Sequence, residues 1–78
     1  MKKKLYYLDP TQHFAIVKPL WDILYCFVGD YFEKGIYRRA YSVAQAWYLM
    51  RRAIAKKLDI AERYIALDVG RIDTIQDK

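Results

Sequence analysis

The residues with the clearest potential for chemistry are the arginines, lysines and tyrosines of one stretch of the chain, residues 36–58. Between Arg38 and Lys57 the chain carries six Arg or Lys residues and no Asp or Glu. A helix over this stretch, at about 3.6 residues per turn, places its tyrosines and its cations on adjacent stripes. Guanidinium and ammonium groups bind phosphates, and exposed tyrosine rings stack on bases. The pattern therefore predicts a nucleic-acid-binding face formed by Arg38, Tyr41, Tyr48, Arg52 and Lys56.

The same pattern also has a purely structural interpretation, a solvated basic face beside tyrosines that pack on neighbouring helices. Solvated helices usually mix charges of both signs, because Glu and Lys four residues apart stabilise each other. The absence of acidic residues from this stretch and the net charge of +5 both count in favour of an anionic partner, such as nucleic acid or an acidic membrane face.

His13 and Cys26 are the other residues with potential for chemistry. A lone Cys cannot form a disulfide within the chain, and one His with one Cys cannot supply the ligands of a zinc site. A nucleophile and a base can meet in space, but Cys26 lies in the apolar run 23–28, where a thiol usually behaves as a small inert hydrophobe. The sequence has no phosphate-binding glycine loop and no carboxylate pair. We therefore expect no enzyme activity, no cofactor, no metal and no small-molecule substrate.

Three helices are expected to position these residues, in one all-α domain over 1–78. A single domain is the limit for a chain of 78 residues, and the sequence shows no repeat and no linker. Helix-start signals stand at Asp9-Pro10 and again at Asp59, which is followed three residues later by a Glu. The predicted helices cover about 10–34 with a kink at Pro19, then 36–58, then 60–68.

The long helix at 36–58 is expected to bury one seam of apolar residues, spaced three and four apart. The seam consists of Ile36, Ala40, Val43, Trp47, Met50, Ile54 and Leu58. We expect 1–8 to be a basic arm or a short edge strand, and 74–78 to be a frayed tail. Short strands at 23–28 and 64–69 are the alternatives to helix in those two places.

The first predicted helix is apolar on nearly every side, so its surface needs cover from the long helix and from a second chain. The candidate interface residues are Trp21, Leu24, Phe27, Val28 and Phe32. A chain this short buries little surface by itself, and its eight Tyr and two Trp can be shared across a subunit interface. We therefore expect a protein partner or self-association, and the break before the long helix at Gly29-Asp30 or Lys34-Gly35.

The segment 54–71 carries small and apolar residues at a regular spacing. They are Ala55, Leu58, Ile60 and Ile65, followed by a Gly70-Arg71 exit. In these features the segment resembles the helix-turn-helix of Cro-type repressors. The resemblance implies a recognition helix that faces the major groove of DNA and adds Arg63 to the candidate nucleic-acid contacts. Its groove-facing residues would be Ala61, Glu62, Arg63 and Tyr64. An ordinary packing unit of two helices is the alternative.

These patterns together predict a small basic helical protein that binds nucleic acid, either DNA or RNA. The alternative is a non-enzymatic protein-interaction module, either a homodimer or an adaptor subunit. The apolar run before Asp9 is too short for a signal peptide, and the run 23–28 is far shorter than the roughly 20 apolar residues of a membrane span. With a lone Cys, these features predict a cytoplasmic protein with no membrane span.

Overall fold

The structure, a computed structural model, describes residues 2–19 and 23–75. In that part of the chain it contains six strands and one α-helix, so the predicted all-α three-helix fold is wrong. The strands form two antiparallel three-stranded sheets. In chain order the elements are β1 (Lys4–Leu8), β2 (His13–Val17), β3 (Ile23–Phe27), β4 (Ile36–Ala40), α1 (Val43–Leu58), β5 (Ile65–Ala66) and β6 (Ile72–Ile75).

The first sheet, sheet 1, has the strand order β4–β1–β6 and packs against α1. Leu8 of β1 lies opposite both Ile36 of β4 and Ile72 of β6. Since residues directly opposite each other on paired strands point to the same side of the sheet, these three residues share one face, and all three are buried. The strand alternative predicted for 1–8 is the one that the structure contains, although β1 is the central strand of its sheet and not an edge.

The second sheet, sheet 2, has the order β3–β2–β5, and it replaces the predicted kinked helix at 10–34. β2 and β3 form a hairpin, with Pro19 in the turn region between them. Phe14 pairs with Cys26 on the buried face, while Ala15 pairs with Tyr25 on the opposite face. An apolar run such as 23–28 fits a helix or a strand equally well by its periodicity. In the structure most of this run, as β3, pairs with β2 and is therefore a strand.

The turn between β1 and β2 uses the residues that predicted a helix start. The Asp9 carboxylate accepts hydrogen bonds from the Thr11 backbone N–H (2.7 Å) and hydroxyl (2.8 Å). These two bonds hold the pKa of Asp9 below its ordinary value. The Gln12 N–H donates to the Asp9 carbonyl at 3.0 Å, which closes the turn. The Asp9 carboxylate therefore accepts hydrogen bonds as it would at a helix cap. The chain nevertheless turns back into β2 and does not begin a helix.

The stretch 36–58 is not one helix, because its first five residues form β4. Ile36 and Ala40 are buried as predicted, but through the two-residue alternation of a strand, whereas Val43 of the predicted seam is exposed. Ser42 caps the helix, and its hydroxyl oxygen accepts the Gln45 N–H at 3.2 Å. The Gln45 side-chain oxygen in turn accepts the Tyr41 N–H at 2.7 Å. This pattern is a variant of the capping box, in which Gln45 binds the residue before the cap, and it starts α1 at Val43.

The predicted helix at 60–68 is also wrong, and so is the helix-turn-helix resemblance that depended on it. Asp59 ends α1 in the left-handed conformation (φ 57°), so it is a C-terminal cap and not the start of a new helix. A 3₁₀ turn at Glu62–Tyr64, the short strand β5 and a second 3₁₀ turn at Val69–Arg71 follow. No recognition helix therefore exists between Asp59 and Ile75. The strand alternative at 64–69 is the one the structure contains, at Ile65–Ala66.

One core joins both sheets and the helix. It is formed by buried residues of sheet 1, sheet 2 and α1, among them Tyr6, Leu8, Phe14, Cys26, Val28, Ile36, Met50, Ile54, Ile65 and Ile72. Of the predicted interface residues, Val28 is fully buried in this core and Phe32 packs against it. Leu24 and Phe27 remain exposed, and Trp21 lies outside the described residues.

Thr74 and Ile75, the first two residues of the predicted frayed tail, belong to β6, and Thr74 pairs with Tyr6. Residues 76–78 of that prediction lie outside the described part of the chain. Across residues 2–19 and 23–75, no helix has the length and apolar character needed to cross a membrane.

Candidate nucleic-acid interface

Three of the predicted nucleic-acid contacts converge on one groove, although they come from two elements. Arg38 lies on β4, while Arg52 and Lys56 lie one helical turn apart on α1. Arg38 faces the helix because it lies two residues from both Ile36 and Ala40 and so shares their buried face of β4. The groove has a volume of about 420 Å³, and its other lining residues are Leu49, Ala53, Ala55, Ile60 and Glu62. We call it the basic groove, defined by Arg38, Arg52, Lys56 and Glu62.

The charges of the basic groove are three cations and one carboxylate. Glu62 Oε1 lies 3.2 Å from Arg52 Nε, and both side chains are well exposed, at 42% and 59%. An exposed pair of this kind contributes about 0–1 kcal/mol and is screened by salt, so a phosphate can compete with Glu62 for Arg52. Arg38 donates one hydrogen bond, from Nη1 to the Tyr37 carbonyl at 2.6 Å. Among the described residues, neither Arg38 nor Lys56 forms an ion pair with a carboxylate.

Both predicted tyrosines are exposed, and each has a cation over its ring. The Arg52 guanidinium carbon lies 5.6 Å from the centroid of the Tyr48 ring, within the range of a cation–π interaction. Tyr48 therefore contacts Arg52 from one turn earlier on α1, although it does not itself line the basic groove. Tyr41 lies between β4 and the helix cap, and the Lys3 ammonium lies 5.4 Å from its ring centroid. The two tyrosines are 45% and 50% exposed, so both rings can be reached from solvent.

Arg63 does not reach the basic groove. Its guanidinium carbon lies 4.8 Å from the ring centroid of Tyr64, and Nη2 donates to the Tyr64 hydroxyl at 3.2 Å. Both residues border a separate hollow beside the β2–β3 hairpin, together with Val17, Lys18 and Pro19. Without a recognition helix, nothing in the fold brings Arg63 to the other predicted contacts.

Arg51 and Trp47 position one wall of the groove, a role that the sequence did not reveal. Arg51 donates from Nε to the Ile65 carbonyl (3.1 Å) and from Nη2 to the Glu62 carbonyl (2.6 Å). Its guanidinium carbon lies 4.6 Å from the Trp47 ring centroid, and Trp47 Nε1 donates to the Leu67 carbonyl at 2.5 Å. Spacing of four residues indicates that Arg51 and Trp47 are neighbours on a helix. It cannot indicate that both bind the backbone between Glu62 and Leu67.

His13 and Cys26 do not form a catalytic pair, because they point to opposite faces of sheet 2. His13 pairs with Phe27, and their ring centroids are 4.3 Å apart, whereas Cys26 is buried beside Phe14. Burial raises the pKa of the Cys26 thiol, although a hydrogen bond with Tyr31 opposes that effect. The nucleophilic thiolate is therefore disfavoured at neutral pH.

A larger open cleft, of about 720 Å³, lies on the outer face of sheet 2, with the small residues Ala15 and Ala66 as its floor. Two charged residues at its border are engaged with their own neighbours. Asp68 accepts the Gly70 N–H at 2.9 Å, and Arg71 donates to the Gln12 side-chain oxygen at 2.9 Å. In residues 2–19 and 23–75, no three His, Cys, Asp or Glu side chains are grouped so that they could hold a metal.

Comparisons with protein-family models, with curated proteins and with solved structures each found no significant match to this chain. A functional proposal therefore depends on the geometry and the charge of the basic groove.

Proposed function

We propose that the protein binds nucleic acid through the basic groove, with Arg38, Arg52 and Lys56 contacting phosphates and Tyr48 stacking on a base. The observation that carries the proposal is the convergence of three cations from β4 and α1 on one groove with a single carboxylate. These residues are separated by up to 18 positions in the chain, so only the fold makes them one surface. Phosphate attraction of this kind is electrostatic and largely independent of sequence.

The walls of the groove support the proposal. Ala55 is buried, and Leu49 and Ile60 pack against the core, so the apolar side of the groove excludes part of the surrounding water. Charges near such a low-dielectric wall interact more strongly than charges in open solvent. Arg38, which is half-buried, benefits most from this effect.

Lys56 also has a structural reason to be cationic, which any test must separate from phosphate binding. It lies in the last turn of α1 beside Lys57, where positive charge interacts favourably with the negative end of the helix dipole. Lys57 shares that position along the helix but does not line the groove. It is therefore the matched control for Lys56.

The first measurement is a salt titration of binding to a fluorescently labelled single strand and to a short duplex, for both DNA and RNA. Each phosphate contact should steepen the plot of log K against log salt by about 0.9 on duplex DNA and about 0.7 on a single strand. Three cations therefore predict a slope of roughly −2 to −3. Undetectable binding of all four probes at low salt would exclude the proposal.

The second measurement compares variants that change the charge of the groove. Lys56→Gln should weaken binding about fivefold to tenfold at about 0.1 M salt. It should also make the plot of log K against log salt shallower by about 0.9 on duplex DNA, the value for one phosphate contact. Lys57→Gln removes the same charge outside the groove and should have a much smaller effect. Glu62→Gln frees Arg52 from its ion pair and should tighten binding. Equal losses for Lys56→Gln and Lys57→Gln would show that net charge acts without the groove.

A further inference from the structure

We infer that β3 is a self-association edge, through which two copies of this chain pair their β3 strands antiparallel about a two-fold axis at Tyr25. The pairing joins the two copies of sheet 2 into one continuous six-stranded sheet. This inference goes beyond nucleic-acid binding and does not depend on it. It also gives the exposed Leu24 and Phe27 a partner.

β3 is an edge strand of sheet 2, with β2 as its only neighbouring strand among the described residues. In an antiparallel pair, alternate residues of an edge strand direct their N–H and C=O groups away from the neighbour. Those groups form a ready template for another strand. Four of the five side chains are also exposed: Ile23 (50%), Leu24 (59%), Tyr25 (69%) and Phe27 (48%).

The other three sheet edges of the described fold are protected, and β3 is not. β4 carries Arg38 and Arg39, β6 carries Asp73, and β5 is only two residues long. Charged residues and short strands are devices that prevent edge-to-edge pairing. β3 has no charged residue, no proline and no glycine, and it pairs with β2 without a bulge over all five residues. The chain therefore leaves one edge open to pairing.

A second copy fits this edge because the strand is complementary to itself. With Tyr25 opposite Tyr25, Ile23 lies opposite Phe27 of the second copy, and this pair occurs twice. Aromatic pairs and pairs of an aromatic with a β-branched residue are favourable across antiparallel strands. Leu24 meets Cys26 of the second copy on the other face. Since β3 is uncharged, a chain with a net charge of +5 can pair with itself here without opposing like charges.

The exposed area makes this a weak dimer. A standard stable interface buries about 800 Å² per partner. Four half-exposed side chains of one five-residue strand supply less than that, so we expect dissociation in the micromolar range, the range of small transient interfaces. Sedimentation equilibrium of the full chain, from low to high micromolar concentration, should show a reversible monomer–dimer transition.

Two variants test the position of the interface. Tyr25→Lys places two like charges on the two-fold axis and should weaken the dimer about 100-fold or more. Among the described large apolar and aromatic residues Tyr25 is the most exposed, so this change should leave the fold intact. Val69→Lys adds the same charge at another exposed site and should leave the dimer unchanged. Circular dichroism of both variants checks that they fold.

A cross-link tests the register directly. In either type of antiparallel pair the two Cα atoms facing each other are about 4.5–5.5 Å apart, within the range that a disulfide bridges. In a Cys26→Ala background, Tyr25→Cys should therefore form a disulfide-linked dimer under mild oxidation, whereas Val69→Cys should not.

Three results would overturn the inference. The first is a wild-type chain that stays monomeric at all concentrations. The second is a dimer that tolerates Tyr25→Lys and cross-links equally at both cysteine positions. The third is a monomer that instead binds anionic liposomes through β3. None of these results bears on the basic groove. Conversely, a chain that dimerises through β3 but does not bind nucleic acid would exclude the proposed function and leave this inference intact.

Discussion

Gly35, directly before β4, adopts a φ of +81°, in the left-handed region that favours glycine. An added Cβ atom would also collide with the Leu8 carbonyl oxygen and lie 2.7 Å from Cε1 of the Tyr7 ring. The position is thus restricted twice, by its own backbone conformation and by the close approach of β1. At the scale of single residues, this glycine sets the entry into the strand that carries Arg38.

Gly35→Ala should lower the free energy of unfolding by about 2 kcal/mol or more, because strain at positive φ adds to the collision with β1. Gly70→Ala is the matched control. Its φ is not in the left-handed region, and its Cβ would meet only the Asp68 side chain at 3.3 Å. The control should cost less than about 1 kcal/mol. Denaturant titrations of both variants give the two values, and equal costs would contradict the account of Gly35.

At the scale of elements, the two ends of α1 obey local rules that the sequence contains. Ser42 and Gln45 begin the helix, and a pair of backbone hydrogen bonds ends it. The Ile60 N–H donates to the Ala55 carbonyl at 3.0 Å, and the Asp59 N–H donates to the Lys56 carbonyl at 3.3 Å. These bonds form a Schellman motif, in which the left-handed residue is usually Gly. Asp59 holds that position with a Cβ and with a negative charge at the negative end of the helix dipole.

Asp59→Gly should therefore raise the free energy of unfolding by about 0.5–1 kcal/mol, because glycine adopts positive φ freely and removes the unfavourable charge. Asp59→Ala separates the two causes. It removes the same charge but keeps a Cβ, and it should be less stable than Asp59→Gly by about 1 kcal/mol. Thermal and denaturant unfolding measure both changes. If the Ala variant is as stable as the Gly variant, charge alone explains the gain.

At the scale of the whole molecule, both sheets depend on one shared core. Ile54 of α1 is fully buried in a cluster that also contains Leu8 of sheet 1 and Phe14 of sheet 2. The described chain should therefore unfold as one cooperative unit.

Ile54→Val should lower the free energy of unfolding by about 1 kcal/mol, since it removes one buried methylene. Hydrogen exchange should show that the slowest amides of β1 and of β2 lose the same amount of protection free energy, because both sheets open together with the shared core. Val69→Ala, at an exposed position, should change the protection of neither the β1 amides nor the β2 amides by more than about 0.5 kcal/mol. Protection lost in β1 but kept in β2 would mean that the sheets unfold separately.

The sequence predicted several local features correctly but assigned some of them to the wrong element. The burial of Met50 and Ile54 on α1 followed from helical spacing, and the exposure of Tyr41 and Tyr48 agrees with their position beside the buried seam. Arg38 reached the same groove as Arg52 from a strand, although a longer helix had been predicted to bring them together. The capping pair at Ser42 and Gln45 is a signal that would have placed the helix start correctly.

The wrong elements arose where one pattern allowed two structures. Asp9 and Asp59 carry a carboxylate that can cap a helix, close a turn or tolerate a left-handed conformation, and spacing does not choose between these roles. The apolar run 23–28 likewise lacks a period that separates helix from strand. For the run 23–28 the choice depended on a distant partner, β2 beside β3, whereas for Asp59 it depended on the local hydrogen bond between Ile60 and Ala55.

The sequence by itself determined the charge, the content of aromatic residues, the amphipathic helix from Val43 to Leu58 and the local caps, because these depend on neighbouring residues. Only the tertiary structure decided the sheets, the exposed edge of β3 and the set of cations that share the basic groove. The physical reason is that strand pairing and groove formation join residues far apart in the chain. Their free energy lies in long-range contacts, which local periodicity does not contain.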